Sequence, residues 1–126
     1  QGVARVVELL AATSEPALIH CAAGKDRTGV IAALLLALLE VDDAQIAEDY
    51  ALTRLGIEGI AGRLRRSHGY AGLWKELPAA SLHARPDTMH AWLAMVRGEW
   101  GSAQAYAQRA GLSENTLTRL RDRLLE

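Results

Sequence analysis

Residues Ala17-Leu18-Ile19-His20-Cys21-Ala22-Ala23-Gly24-Lys25-Asp26-Arg27-Thr28-Gly29 decide how the rest of the chain is read. The apolar run 17–20 predicts a short strand leading in. The uncharged run from Thr28 to Leu39 predicts a helix leading out. Cys21 then stands where the strand ends, and Arg27 stands where the helix begins. That layout builds an anion site. Backbone N–H groups of a tight loop converge on one point, and the helix N-terminus adds roughly half a positive charge there. Gly24 lets the loop turn where a Cβ would clash. Arg27 supplies a rigid fork of donors that matches two phosphate oxygens at once.

A thiol in that setting is activated. Beside an arginine and a helix N-terminus its pKa can fall from ~8.5 into the ~3.5–7.5 range. A thiolate beneath a bound phosphate is the start of phosphoryl transfer through a cysteinyl-phosphate. The spacing His20-Cys21-x5-Arg27-Thr28 resembles the signature of the cysteine-based protein tyrosine phosphatases. The fuller string His20-Cys21-Ala22-Ala23-Gly24-Lys25-Asp26-Arg27-Thr28-Gly29 resembles the bacterial atypical tyrosine and phosphoinositide phosphatases. A buried strand-end cysteine followed by a capping threonine is the alternative, and it leaves Gly24 and Arg27 unexplained.

The resemblance implies an α/β fold: the C-terminal, mostly helical part of a tyrosine-phosphatase-like three-layer domain, with one strand entering the phosphate loop. It makes Cys21 the nucleophile and Arg27 the phosphate clamp. Thr28 would hydrogen-bond the sulfur or help release the leaving thiolate. His20 would stand behind the loop, orienting it and helping lower the cysteine pKa. Ala22, Ala23, Gly24, Lys25 and Asp26 would offer backbone N–H groups to the substrate phosphate. A lysine inside the loop is shared with phosphatases that accept phosphoinositides, so Lys25 is expected to add a point charge for substrates with extra phosphates. An acid inside an anion loop is electrostatically costly. Asp26 is therefore expected to have either a catalytic task or a partner such as Lys25. The family's general acid is an aspartate upstream of the loop strand, whereas the residues before Cys21 hold Glu8 and Glu15 but no aspartate. The chain is thus read as one phosphatase-like domain over 1–126, incomplete at its N-terminus, with its acid absent. A lone buried strand leaves N–H and C=O groups unpaired. An upstream segment or a second chain is expected to complete the sheet.

The 126 residues suffice for one domain with a modest core, and the net charge of −1 points to neither nucleic acid nor an anionic membrane. The single cysteine forms no internal disulfide. Neither a signal peptide nor a span of the ~20 apolar residues needed for a bilayer is visible, so a cytoplasmic or secreted bacterial protein is expected. No residue pattern implies a metal or a cofactor.

The remaining pattern is helical. Val3, Val6, Val7 and Leu10 place a helix over 2–12 with one apolar face. The apolar stretch from Val30 to Leu39 reads as a helix buried on most sides. Asp42 caps the next helix, with Gln45 at N3. That helix carries Asp49-Tyr50-Ala51-Leu52-Thr53, which resembles a segment following the phosphate loop in the same family; it is assigned no catalytic role. Glycines at 56, 59, 62, 69 and 72 loosen the pattern from Gly56 to Pro86. Within it Arg63, Arg65, Arg66 and His68 form a basic cluster, either a solvated helix face or a mobile flap or rim that attracts anionic substrates. Pro86 opens a helix that Trp100-Gly101-Ser102 breaks. Two more follow, about 102–110 and 113–125, with Gly111 at C′ and Ser113 at N-cap.

Three other functions compete. The last two helices resemble a helix-turn-helix DNA-binding module, opposed by the near-neutral chain and by Glu114 where phosphate would lie. A rhodanese-like sulfurtransferase also uses a cysteine in an anion loop, but the spacing to Arg27 and the following threonine favour phosphate. A non-catalytic phosphate-binding fragment lacking its acid is the third.

Overall fold

A computed structural model describes residues 2–69, 72 and 82–125. Seven α-helices are found among them: α1 (Gly2–Ala12), α2 (Asp26–Leu38), α3 (Asp43–Ala51), α4 (Ile57–Arg66), α5 (Pro86–Trp100), α6 (Ala103–Arg109) and α7 (Glu114–Leu124). A 3₁₀ turn, Leu52–Leu55, follows α3.

Helix α2 organises the packing. Between Thr28 and Leu39 no residue is fully exposed, as its uninterrupted apolar composition requires. Its Leu34 and Leu38 enter one core with Val7 and Leu10 of α1, Ala107 of α6 and Leu117 and Leu120 of α7. Its Ala33 enters a second core with Ile46, Ala47 and Tyr50 of α3, Ala84, and Met89 and Leu93 of α5. Trp92 packs against both.

The helix ends follow the sequence. Asp42 Oδ1 accepts from the N–H of Ala44 at 2.7 Å and of Gln45 at 3.3 Å. Ser102 Oγ accepts from Ala105 N–H at 2.9 Å, and Ser113 Oγ from Thr116 N–H at 3.1 Å. Each satisfies a donor that the first turn leaves unpaired. Pro86 occupies the start of α5, where its missing N–H costs nothing. Gly101 (φ 85°) and Gly111 (φ 102°) take the left-handed turns that stop α5 and the α6 connection. Arg121 Nε donates to the Leu38 carbonyl at 3.2 Å, and Arg123 donates to the carbonyls of Leu10 and, at 2.6 Å, Glu15. Two arginines of α7 therefore satisfy carbonyls at the C-terminal ends of α2 and α1 and in the turn that follows α1.

Three expectations change. Residues 17–20 pair with nothing among the described residues and form no strand; Leu18 is 88% exposed, not covered on both faces. A strand exists only through its ladder, and none of the described residues offers one. Helix α2 starts at Asp26, two residues before the expected Thr28. The loosened stretch contains a helix, α4. Gly59 and Gly62 each cost a helix about 1 kcal/mol, but Ile57, Ile60, Ala61 and Leu64 keep an inward-leaning face. Arg63, Arg65, Arg66 and His68 are all exposed at its end, a solvated cluster. Of the loosened stretch from Gly56 to Pro86, residues 70, 71 and 73–81 lie outside the described residues.

Candidate active site

The turn Cys21–Lys25 joins 17–20 to α2. Gly24 takes a left-handed conformation (φ 66°), but a Cβ there would meet nothing within 4 Å, so the glycine serves the backbone angle and not the clash expected of it. The first helical hydrogen bond runs from Gly29 N–H to the Lys25 carbonyl at 2.8 Å, so the N–H groups of Asp26, Arg27 and Thr28 are left to point forward. Gly29 lies where it does because a side chain would not fit. A Cβ there would meet the Tyr50 ring at 2.8 Å. That contact sets α2 tightly against α3 just behind the loop.

Burial pushes the Cys21 thiol up, and hydrogen bonds outweigh it. The Thr28 hydroxyl, the Thr28 N–H and the N–H groups of Gly24 and Ala23 bring it down to about 7. The Thr28 hydroxyl is otherwise a buried orphan with no other hydrogen-bond partner. Such an atom costs about 1–3 kcal/mol when left unpaired. A thiolate at Cys21 is the acceptor that relieves it, which is why the charged form is favoured. The loop's own donors, not a cationic neighbour, achieve the shift.

A cavity of about 400 Å³ opens over the sulfur, lined by Val6, Ile19, His20, Cys21, Ala22, Arg27, Thr28 and Ile31. The Arg27 guanidinium is exposed and makes no hydrogen bond or ion pair among the described residues, so its donors remain unspent beside the thiol. His20 is exposed at the mouth and also unbonded. Among the described residues it has no hydrogen-bond partner through which to orient the loop. No carboxylate among the described residues lines the cavity.

Lys25 and Asp26 are not among the lining residues. Asp26 pairs with Lys25, Oδ1 to Nζ at 2.9 Å, with the carboxylate side chain 72% exposed and the lysine side chain 8% exposed. The partner alternative for Asp26 is the arrangement found. Asp49 is exposed, while its neighbour Tyr50 packs on Gly29. That packing is what sequence reasoning missed. Its only signal was a glycine in an otherwise apolar helix, followed downstream by an aromatic. No cluster of His, Cys, Asp and Glu that could hold a metal ion occurs among the described residues.

A depressed thiol turned to loop amides, in one cavity with the Arg27 guanidinium at a helix N-terminus, is a candidate cysteine-based site for a tetrahedral anion. The chain belongs to the tyrosine phosphatase family, whose sequence profile matches residues 1–126. It is 37% identical over 127 residues to a tyrosine-protein phosphatase of Nostoc commune, covering 95% of this chain and 43% of that protein. It is 32% identical over 143 residues to the triple specificity protein phosphatase PtpB of Mycobacterium tuberculosis, covering 96% of this chain and 48% of that protein. The chain thus spans less than half the length of these two relatives.

The helix-turn-helix reading finds no support. Helices α6 and α7 form, but Leu117 and Leu120 face the core with α1, and Arg121 and Arg123 bind carbonyls of the chain itself. Glu114 accepts from Gln104 Nε2 at 3.2 Å and Gln108 Nε2 at 3.0 Å, knitting α6 to α7.

Proposed function

We propose that this chain carries the nucleophilic half of a cysteine-dependent phosphomonoester hydrolase, a protein tyrosine phosphatase with a range that extends to phosphoinositides. The observation that carries the reading is a cavity lined by both the depressed Cys21 thiol and the exposed Arg27 guanidinium. Cys21 Sγ attacks the phosphorus, and the ester oxygen leaves with the bonding electron pair. Arg27 and the amides of residues 22–26 hold the three equatorial oxygens as charge spreads over them. Water then cleaves the cysteinyl-phosphate, and Thr28 Oγ stabilises the departing thiolate. Asp26 stands nearest the loop among the acids, and its ion pair with Lys25 supports a supporting task over proton transfer.

The substrates are phosphorylated proteins or phosphoinositides; the relative from Mycobacterium is itself named for triple specificity. A segment upstream of the loop, or a second chain, completes the sheet beside 17–20 and brings the general acid. The exposed Leu18 and Leu9, 88% and 53% accessible, support that reading. No helix among the described residues is long and apolar enough to cross a membrane.

Turnover of para-nitrophenyl phosphate, abolished by Cys21→Ser, tests the proposal. Sulfur transfer from thiosulfate to cyanide in place of that turnover would replace it with sulfurtransferase chemistry.

A further inference from the structure

Lys25 is the one buried charged residue among the described residues, 6% exposed. Burying an ammonium is expensive unless its donors are met. Here they are met by two groups of different origin. One is the neighbouring Asp26 carboxylate at 2.9 Å. The other is the His83 carbonyl at 3.4 Å, 58 residues down the chain. His83 precedes Ala84, which is 5% exposed and packs in the second core with Tyr50, Met89 and Leu93. The anion loop is therefore tied to the α3–α5 core at two points: by the Gly29–Tyr50 contact and by the Lys25–His83 hydrogen bond. A lysine serving substrate would line the cavity over Cys21, and Lys25 does not.

We propose that Lys25 is a positioning residue: its ammonium straps the anion loop to the 82–85 segment through the His83 carbonyl and neutralises the Asp26 carboxylate beside the site, without touching substrate. The inference rests on the phosphatase reading for its kinetics but not for its chemistry. Without Lys25 the loop loses its long-range tie, and the Asp26 carboxylate stands uncompensated one residue from Arg27. Both changes act on every phosphate the loop holds, whatever else the substrate carries. Both also act on the Cys21 thiolate, which like-charge repulsion disfavours.

The test compares Lys25→Met, Lys25→Gln and Lys25→Met/Asp26→Asn with the parent. Two readouts serve: the pH profile of Cys21 alkylation by iodoacetamide, and kcat/KM on para-nitrophenyl phosphate, a phosphotyrosine peptide and a multiply phosphorylated phosphoinositide. In Lys25→Met the alkylation inflection should rise above its value of about 7. Turnover should fall by about ten- to a hundredfold on all three substrates alike, the scale of a small misplacement of reacting groups. The double variant should bring the inflection part of the way back, since it removes the stranded carboxylate. Lys25→Gln keeps an uncharged N–H donor on a side chain one bond shorter, which a small shift of the loop brings to the His83 carbonyl. It should retain more turnover than Lys25→Met, and it serves if the methionine variant does not fold. A loss concentrated on the phosphoinositide, with the alkylation profile unmoved, would make Lys25 a substrate contact and overturn the proposal. A lowered melting temperature with both readouts unchanged would reduce Lys25 to a packing role and overturn it equally. Alkylation needs no turnover, so failure of the phosphatase reading itself, seen as an active Cys21→Ser, leaves the positioning result readable.

Discussion

Thr28→Val is the sharpest probe of how the thiol is activated. Valine keeps the branched shape at Cβ and removes only the hydroxyl. That hydroxyl is buried without another partner and acts on the Cys21 sulfur. A hydrogen bond to a charged group contributes about 1.5–3 kcal/mol, and one pKa unit corresponds to about 1.4 kcal/mol. Its loss should therefore move the Cys21 inflection from about 7 upward by roughly one to two units. The Thr28 N–H and the amides of Gly24 and Ala23 remain, so the shift is partial. Alkylation by iodoacetamide, followed from pH 5 to pH 10, reads it directly. At pH 6 the variant should react about ten- to a hundredfold more slowly, and above the new inflection the two proteins should converge. Stability follows with a definite sign. The folded thiol lies below its unfolded value, so its contribution is present at alkaline pH and is lost as pH falls through about 7. That pH-dependent part should shrink in the variant. At pH 6, where Cys21 is mostly protonated, the variant should be no less stable than the parent, because the orphaned hydroxyl is gone. An inflection that stays near 7 in Thr28→Val would refute the reasoning and return the activation to Arg27 or the helix N-terminus.

Arg27→Lys keeps the charge and loses the bidentate fork, so kcat/KM on para-nitrophenyl phosphate should fall well over tenfold, more than about 1.4 kcal/mol of transition-state stabilisation; an unchanged value would remove Arg27 from the role of clamp. Gly29→Ala gains about 1 kcal/mol of helix propensity but drives a methyl to 2.8 Å from the Tyr50 ring. Overpacking of about 1–3 kcal/mol should win, giving a lower denaturation midpoint that Gly29→Ala/Tyr50→Leu recovers.

The parts of the fold that were legible are those fixed by short-range chemistry. Ser102, Ser113, Asp42, Gly101, Gly111 and Pro86 each act within a few residues of their own position, and each ends or begins a helix where the sequence placed it. The layout of the loop was legible for the same reason: Cys21, Arg27 and Thr28 are close in sequence and line one cavity, with a Gly24 N–H turned to the sulfur. What was not legible depends on partners far along the chain. A lysine in an anion loop reads as a substrate contact until His83 is seen to hold it. Helix α4 was hidden because its two glycines interrupt the period, while its burial comes from Ile57 and Ala61. The run 17–20 reads as a strand from composition, but a ladder needs a neighbour, and composition says nothing of which residues supply one.

The cavity itself says how the chemistry is divided. Its walls are Val6, Ile19 and Ile31, and its polar groups are the thiol, Arg27, Thr28 and His20. On the proposed function these are the groups that would bind the phosphoryl group and attack it, yet none of the described groups around the cavity is a carboxylic acid. Val6 and Ile31 lie on α1 and α2 and are only half-buried, and Leu18, next in sequence to the cavity residue Ile19, is open to solvent. An element that covered this apolar surface would stand over the same cavity mouth where the leaving group departs. Burial of that surface and protonation of the leaving oxygen are then tasks for one element. General acid catalysis is worth about 10²–10⁴-fold. A good leaving group needs little of it, and a tyrosyl or inositol oxygen needs most of it. On the proposed function the anion loop would set whether a phosphate is attacked at all, and such a covering element would set which alcohols can be released from it.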